Sequence, residues 1–325
     1  MPTQQPQKNV SHPFKESIFV PYWASGIDDV TPYDSYYYFG IVPTKEGKIE
    51  DEVGYQKMNL VATIPEKQKK MVLRMLDSTV TEILLQDKTA QKTLVSEMRN
   101  VLSKNAFSGL ILDIEVPFTL KADKKGQITN FVQLICTAVK LDYKTCGILI
   151  YGDFSFRNRP YDLKALGDAA DTILLMAYDF HKPEGEPGPN FPFARQSLGE
   201  GESFDYGYDF KQMISDVVSV VPKDKIEVVF GMYGYDWTMN EQGTPLKAAK
   251  ALTLKEIQAQ ISNHKFQITN QSQISNSKEK NIQYVDEEGR KHIIWYEDEE
   301  SAAVKTKYLQ SQGIWQISFW ALSYF

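Results

Sequence analysis

Eight short runs rich in β-branched, aromatic and aliphatic residues recur along this chain, and segments with helical spacing lie between several of them. The runs are SIFVPYW (17–23), SYYYFGIV (35–42), KMVLRMLD (70–77), GLILDIEV (109–116), CGILIYGDF (146–154), TILLMAYDF (172–180), IEVVFGMYGYDW (226–237) and IWQISFWAL (314–322). Most are apolar on both faces, as parallel strands are when helices cover one side and a filled barrel the other. Helical spacing marks 89–104, 128–141, 209–221 and 300–312. This alternation predicts an α/β fold, a (β/α)8 TIM barrel. The competing architecture is an open doubly wound sheet. That fold usually carries a Gly-rich phosphate turn after its first strand, and none follows here.

Two departures from a plain barrel are expected. Residues 238–298 separate the seventh and eighth strands and read as polar turns with short alternating strands, an α+β insertion within a barrel spanning 17–325. Residues 1–16 read as a flexible N-terminal segment, and no helix follows the last strand, so either the sequence is cut short or other segments cover that strand. The 42% hydrophobic content supports a large core. With a net charge of −6 and basic residues scattered among acids, no stripe that could track phosphates is present, so nucleic acid is not an expected partner. No apolar stretch approaches the ~20 residues that cross a bilayer, and the first residues lack the apolar segment of a secretion signal. A soluble monomer with no membrane partner is expected, with a cell-wall or extracellular role if a leader has been removed. Cys136 and Cys146 lie in no CxxC pair, which favours buried free thiols.

The fourth run poses a chemical question. In a strand, Ile111, Asp113 and Glu115 share one face while Leu110, Leu112 and Ile114 share the other. Two carboxylates on one face repel, and a buried carboxylate needs partners or a proton. In a barrel, activity gathers at the C-terminal strand ends. Tyr22 and Trp23, Asp113 and Glu115, Tyr178 and Asp179, Tyr233, Tyr235 and Trp237, and Trp320 all sit at such ends. Singly, strand-end aromatics are ordinary core or rim residues, and a carboxylate pair can belong to an ion network. Jointly they make a candidate site. The histidines, His12, His181, His264 and His292, lie far apart without HExxH spacing, and no GxSxG elbow or P-loop occurs, so no metal or cofactor is expected.

SGLILDIEV (108–116) resembles the DGxDxDxE motif of family 18 glycoside hydrolases, the chitinase family, and MAYDF (176–180) resembles that family's sixth-strand MxYD. YWAS (22–25), YGYDW (233–237), the insertion and Trp320 are similar to the family too, over nearly all of 17–325. MAYDFHKPEGEPGPNFPF, YGYDWT and IWYEDEESAAVKTKYLQSQGIWQISFWAL are similar to the bacterial branch that includes spore-cortex peptidoglycan N-acetylglucosaminidases. The resemblance implies a retaining, substrate-assisted glycosidase acting on β-1,4-linked N-acetylglucosamine glycans of the peptidoglycan or chitin type. It makes Glu115 the acid, Asp113 the orienter of the substrate acetamido group, and Tyr178 a donor to that group. Asp179 would contact sugar hydroxyls, Trp320 would form the floor, and Trp23 and Trp237 would be stacking walls.

The motif's first two acids are Ser108 and Ile111 here. The second normally shares a proton with the residue matching Asp113. Ile111 is expected to fill a barrel layer, leaving Asp113 to hydrogen-bond to Glu115 alone. This departure supports the alternative reading, a non-hydrolysing, lectin-like sugar-binding protein on the same scaffold.

Overall fold

A computed structural model of the protein describes residues 14–26, 33–49, 51–115, 124–195, 207–262, 267–273 (backbone only) and 277–324. In chain order the barrel begins with β1 (Lys15–Pro21), β2 (Ser35–Ile41), β3 (Lys69–Met75), β4 (Gly109–Ile114), β5 (Thr145–Tyr151), β6 (Thr172–Ala177) and β7 (Ile226–Gly231). A second sheet follows, made of β8 (Tyr233–Met239), β9 (Lys250–Thr253), β10 (Gln267–Gln273), β11 (Lys280–Val285) and β12 (Lys291–Tyr296). Strand β13 (Gln316–Trp320) then returns to the barrel. The helices are α1 (Val53–Gln56), α2 (Ser78–Gln86), α3 (Lys88–Lys104), α4 (Lys124–Lys140), α5 (Leu163–Ala169), α6 (Phe210–Val218), α7 (Leu254–Ser262) and α8 (Glu299–Ser311).

The closed barrel runs β1-β13-β7-β6-β5-β4-β3-β2, with parallel pairing throughout. Alternation along each strand divides the core in two. Phe19, Tyr37, Val72, Ile111, Leu149, Leu174 and Val229 fill the barrel interior. Their neighbours Ile18, Met71, Leu110, Ile148, Ile173 and Val228 face the helices. Helix α3 buries Ala90, Leu94, Met98 and Val101, a stripe at helical spacing, and Asp87 caps its first turn by accepting from Thr89 and Ala90 N–H. Among the described residues no helix is long and apolar enough to cross a membrane.

Three expectations change. The seventh run, 226–237, is two strands in two sheets: Met232 N–H bonds to Trp320 O at 2.8 Å as the barrel ladder ends, and β8 pairs antiparallel with β12 and β9. The second sheet therefore begins at Tyr233 and not at 238. At the N-terminus, β1 already includes Lys15 and Glu16, while residues 1–13 of the expected flexible segment lie outside the described residues. Other segments do pack on the last strand, with Phe319 against the rings of Tyr33 and Phe230 and Leu322 N–H bonded to Phe19 O.

The third change concerns the cysteines, which are joined and not free. Helix α4 leads directly into β5, so the chain folds back and brings the Cα atoms of Cys136 and Cys146 to 5.3 Å, within bridging range. The spacing of 10 residues hid this, because it matches no short motif and only the helix-to-strand return makes the residues neighbours. Closing a loop of this size stabilises a chain by roughly 2–3 kcal/mol in the chain-entropy description. The protein denatured without reductant should therefore show no reactive thiol, and reduction should release two and lower the melting temperature. Thiol titration in denaturant checks this, and two thiols before reduction would contradict the bridge.

Candidate active site

The site begins with strand alternation. Ile111 lies in the packed barrel interior, which puts Asp113 on the same face one step nearer the C-terminal mouth and Glu115 just beyond the strand end. Glu115 N–H remains tied to Met75 O on β3 at 3.3 Å. Asp113 is 0% exposed, and neither of its carboxylate oxygens has a hydrogen-bond partner, so the expected bond to Glu115 is not formed. Glu115 turns instead to β5, where the Tyr151 hydroxyl donates to its Oε2 at 2.7 Å.

Burial governs the protonation of both carboxyls. It pushes Asp113 well above the usual carboxylate range, the Glu115 charge pushes the same way, and Arg74 opposes. Glu115 is also raised by burial and by Asp179, against the Tyr151 hydrogen bond and the cations Lys182 and Arg159. Such a pair binds its protons jointly.

From β6, Tyr178 reaches the same place, and burial with the charges of Glu115 and Asp113 holds its hydroxyl protonated. Gly231 makes room for it: a Cβ there would lie 2.6 Å from Tyr178 Cβ and from the Tyr233 ring. Asp179 adopts a left-handed backbone (φ 55°), a conformation aspartate tolerates better than most residues, with its N–H bonded to Asn190 Oδ1 at 2.7 Å. Its Oδ1 accepts from the hydroxyls of Tyr233 and, at 2.7 Å, Tyr235. Trp320, on β13, packs against Phe39 at 4.6 Å, Phe19 at 5.6 Å and Trp23 at 6.2 Å between ring centroids. Trp23 is 41% exposed at the rim, and Tyr22 packs edge-on beside it.

The structure thus brings Asp113, Glu115, Tyr178, Asp179, Trp320, Tyr22 and Trp23 to one end of the barrel. Trp237 does not belong there as a stacking wall: it is 0% exposed, and its indole N–H donates to Gly185 O at 3.0 Å. Tyr233 and Tyr235 are buried and hold Asp179. The sequence reading missed Tyr151, Arg74 and Arg159. The Arg159 guanidinium lies 3.6 Å above the Tyr151 ring and is gripped by both oxygens of Asp153 at 2.6 and 2.7 Å. Tyr151 ends the fifth strand, the position that singled out the other candidates, so that signal was present. Among the described residues no group of His, Cys, Asp or Glu side chains is arranged to hold a metal ion. His12 and His264 lie outside the described residues.

The family model described as glycosyl hydrolases family 18 matches residues 36–324. Among curated proteins, the chain is 22% identical over 321 residues to a cortical fragment-lytic enzyme of Bacillus anthracis, covering 95% of this chain and 68% of that one. The fold is similar to that of the Bacillus cereus spore cortex-lytic enzyme SleL, with a TM-score of 0.74, 19% identity, and coverage of 96% of this chain and 71% of the other. It is also similar to that of a chitinase of Chromobacterium violaceum, with a TM-score of 0.76, 20% identity, and coverage of 96% and 95%. At such identities the structural likeness establishes the fold.

The Tyr151 contact has a measurable consequence. A hydrogen bond to a carboxylate favours its ionised form, so Tyr151→Phe should raise the Glu115 titration midpoint. Carboxyl ¹³C NMR of the folded variant reads this directly, and a midpoint equal to or below that of the wild type contradicts the assigned bond.

Proposed function

The chain belongs to glycosyl hydrolases family 18 and is a glycoside hydrolase of the N-acetylglucosaminidase or chitinase type; from that premise we propose that it cleaves β-1,4 bonds of N-acetylglucosamine glycans with retention, by substrate assistance. The observation that carries this reading is the placement of Asp113 on the barrel-facing side of β4 with Glu115 just beyond the strand end, at the barrel end where Tyr178, Asp179 and Trp320 gather. Glu115 lies at the strand end with a raised proton affinity, which suits a group that must arrive protonated and give its proton to a departing glycosidic oxygen.

In this mechanism the carbonyl oxygen of the substrate's own 2-acetamido group attacks the anomeric carbon as the C–O bond to the leaving sugar breaks. Glu115 donates its proton to that leaving oxygen. A cyclic oxazolinium forms, and water, deprotonated by the Glu115 carboxylate, opens it with overall retention. Asp113 accepts the acetamido N–H and faces the positive charge that develops, an electrostatic role strengthened by its dry surroundings. Tyr178 donates to the acetamido oxygen. Asp179 has one oxygen committed to the Tyr233 and Tyr235 hydroxyls, which leaves Oδ2 for sugar hydroxyls. Trp320 presents an apolar face to the ring, and the exposed Trp23 extends it.

The names of the relatives, cortical fragment-lytic enzymes and chitinases, support peptidoglycan and chitin oligomers as the substrates to test. Incubation with peptidoglycan, cortex fragments and chitin oligomers, with new reducing ends identified by mass spectrometry, chooses between them. Binding without cleavage of any would favour the lectin-like alternative.

Glu115→Gln should keep the fold and sugar binding but lower kcat by roughly 10²–10⁴-fold, because the amide has no acid proton to give. Unchanged turnover removes Glu115 from the role. A thiazoline analogue of N-acetylglucosamine, which mimics the cyclic intermediate, should inhibit competitively, and fully deacetylated oligomers should not be cut. Efficient cleavage of glucosamine-only chains would rule out substrate assistance.

A further inference from the structure

The loop after β5, residues 152–162, is built around one buried ion pair. Asp153 holds the Arg159 guanidinium with both oxygens, at 2.6 and 2.7 Å, and each residue is only 4% exposed. A planar fork gripped at two points keeps one orientation, and this one sits over the Tyr151 ring, 3.6 Å from its centroid. Asp153 also pairs with Arg157, whose Nη2 donates to Phe180 O at 2.8 Å, the residue after Asp179. At the other end of the loop the Tyr161 hydroxyl donates to Ile114 O at 3.3 Å, the residue before Glu115. The loop thus braces the chain at the ends of β4 and β6, and its central cation rests on the ring whose hydroxyl meets Glu115.

That hydroxyl takes one oxygen of the carboxyl group: Tyr151 donates to Oε2 of Glu115 at 2.7 Å. A cation over the face of a phenol draws electron density from the ring, so the hydroxyl becomes a stronger donor and a poorer acceptor. A proton on Oε2 would require Tyr151 to accept, which the guanidinium disfavours. We propose that Arg159, anchored by Asp153, is a positioning residue that acts through Tyr151: it keeps the phenol donating to Glu115 Oε2, so that the catalytic proton rides on Oε1. Oε1 gives that proton to the glycosidic oxygen as the C–O bond breaks, and recovers one from the water that opens the oxazolinium. The effect on turnover rests on the substrate-assisted reading above, whereas the contact between ring and carboxyl can be measured without substrate.

Other groups surround Glu115 and act on it by charge. Asp113 lies on its own strand, Tyr178 stands at the end of β6, and Asp179 and Lys182 follow. Lys182 lies 5.8 Å from the Tyr151 ring centroid, farther than Arg159. The Tyr151 hydrogen bond favours ionised Glu115 against burial and Asp179, so what it supplies to acid catalysis is orientation and not proton affinity. Arg159 also acts on Glu115 directly by charge, in the same sense as Tyr151. The two routes separate by experiment, because only one of them needs the Tyr151 hydroxyl.

The test is a double-mutant cycle between Arg159→Gln and Tyr151→Phe. With an oligosaccharide substrate, each single variant should lower kcat by about tenfold while KM changes by less than about threefold. The double variant should be slower than the slower single one by no more than about twofold. Arg159→Lys keeps the charge but loses the planar two-point grip, so its kcat should fall with that of Arg159→Gln. Losses that multiply to about a hundredfold in the double variant overturn the proposal, as does wild-type kcat in Arg159→Gln, Arg159→Lys or Tyr151→Phe. Carboxyl ¹³C NMR supplies the reading without substrate: Arg159→Gln should raise the Glu115 midpoint, and in the Tyr151→Phe background it should raise it less than half as far. Equal shifts in the two backgrounds overturn the route through Tyr151. Should Arg159→Gln fail to fold, Asp153→Asn releases the same guanidinium, and its effect on the Glu115 midpoint must shrink in the Tyr151→Phe background in the same way. A wild type that shows the NMR coupling yet cuts no glycan overturns the hydrolytic reading and leaves the positioning role standing.

Discussion

The energetics of the site turn on the burial of one carboxyl group. Asp113 is 0% exposed at the top of a packed barrel, and no N–H or O–H group donates to it. Removing a carboxylate from water costs several kcal/mol unless a proton or a counter-charge compensates. Below it, Ile111, Val72, Leu149, Leu174 and Val229 close the barrel, so no solvent screens the charge from that side. The dryness that makes Asp113 costly also strengthens its electrostatic interactions. That suits a group proposed to face a developing cation, and it ties Asp113 to Glu115 and Arg74.

A second constraint comes from the inserted sheet. Asp179 is held in its left-handed conformation by Tyr233 and Tyr235 of β8 and by Asn190, whose side-chain amide also donates to Gly231 O at 3.0 Å. Asn190 and Phe191 N–H groups bond to Glu279 at 2.5 and 2.8 Å. Glu279 pairs with Lys305 of α8 at 2.9 Å, and Lys305 also pairs with Glu297. All three charged side chains are fully buried, and burial pushes the Glu297 carboxyl up to about 8. Buried ions of this kind demand close geometry, because each desolvated charge depends on its partners. The inserted sheet is thereby clamped to the barrel through the same segment that carries Asp179.

The barrel was legible because its strands are short, apolar on two faces and separated by helical spacing, and because one alternating strand, 109–114, carries Asp113 on the interior face with Glu115 just beyond its end. What escaped depended on where the chain goes after a strand ends. IEVVFGMYGYDW is continuously β-like, and only the hydrogen bond from Met232 to Trp320 shows where it leaves the barrel. Trp237 looked like an exposed strand-end aromatic for the same reason, yet it belongs to β8 and is buried. Cys136 and Cys146 lie on a helix and a strand that meet only after folding. Arg74 was invisible as a site residue because a basic residue within an apolar run gains meaning only from the strand beside it.

Together these contacts give the insertion an electrostatic part in the site. Burial raises both carboxyls, carrying Asp113 well above the usual carboxylate range, and their neighbours then act on each differently. Tyr151, Arg159 and Lys182 all favour ionised Glu115, and of the groups around it Asp179 pushes the other way. Asp179 keeps its place because Tyr233 and Tyr235 reach it from β8. The inserted sheet therefore holds the negative charge that helps Glu115 retain a proton, while β3 supplies the positive charge that draws Asp113 toward its anion. Of the neighbours named around Glu115, Asp179 is the one that acts in the direction acid catalysis requires, and it does so from a position the inserted sheet fixes.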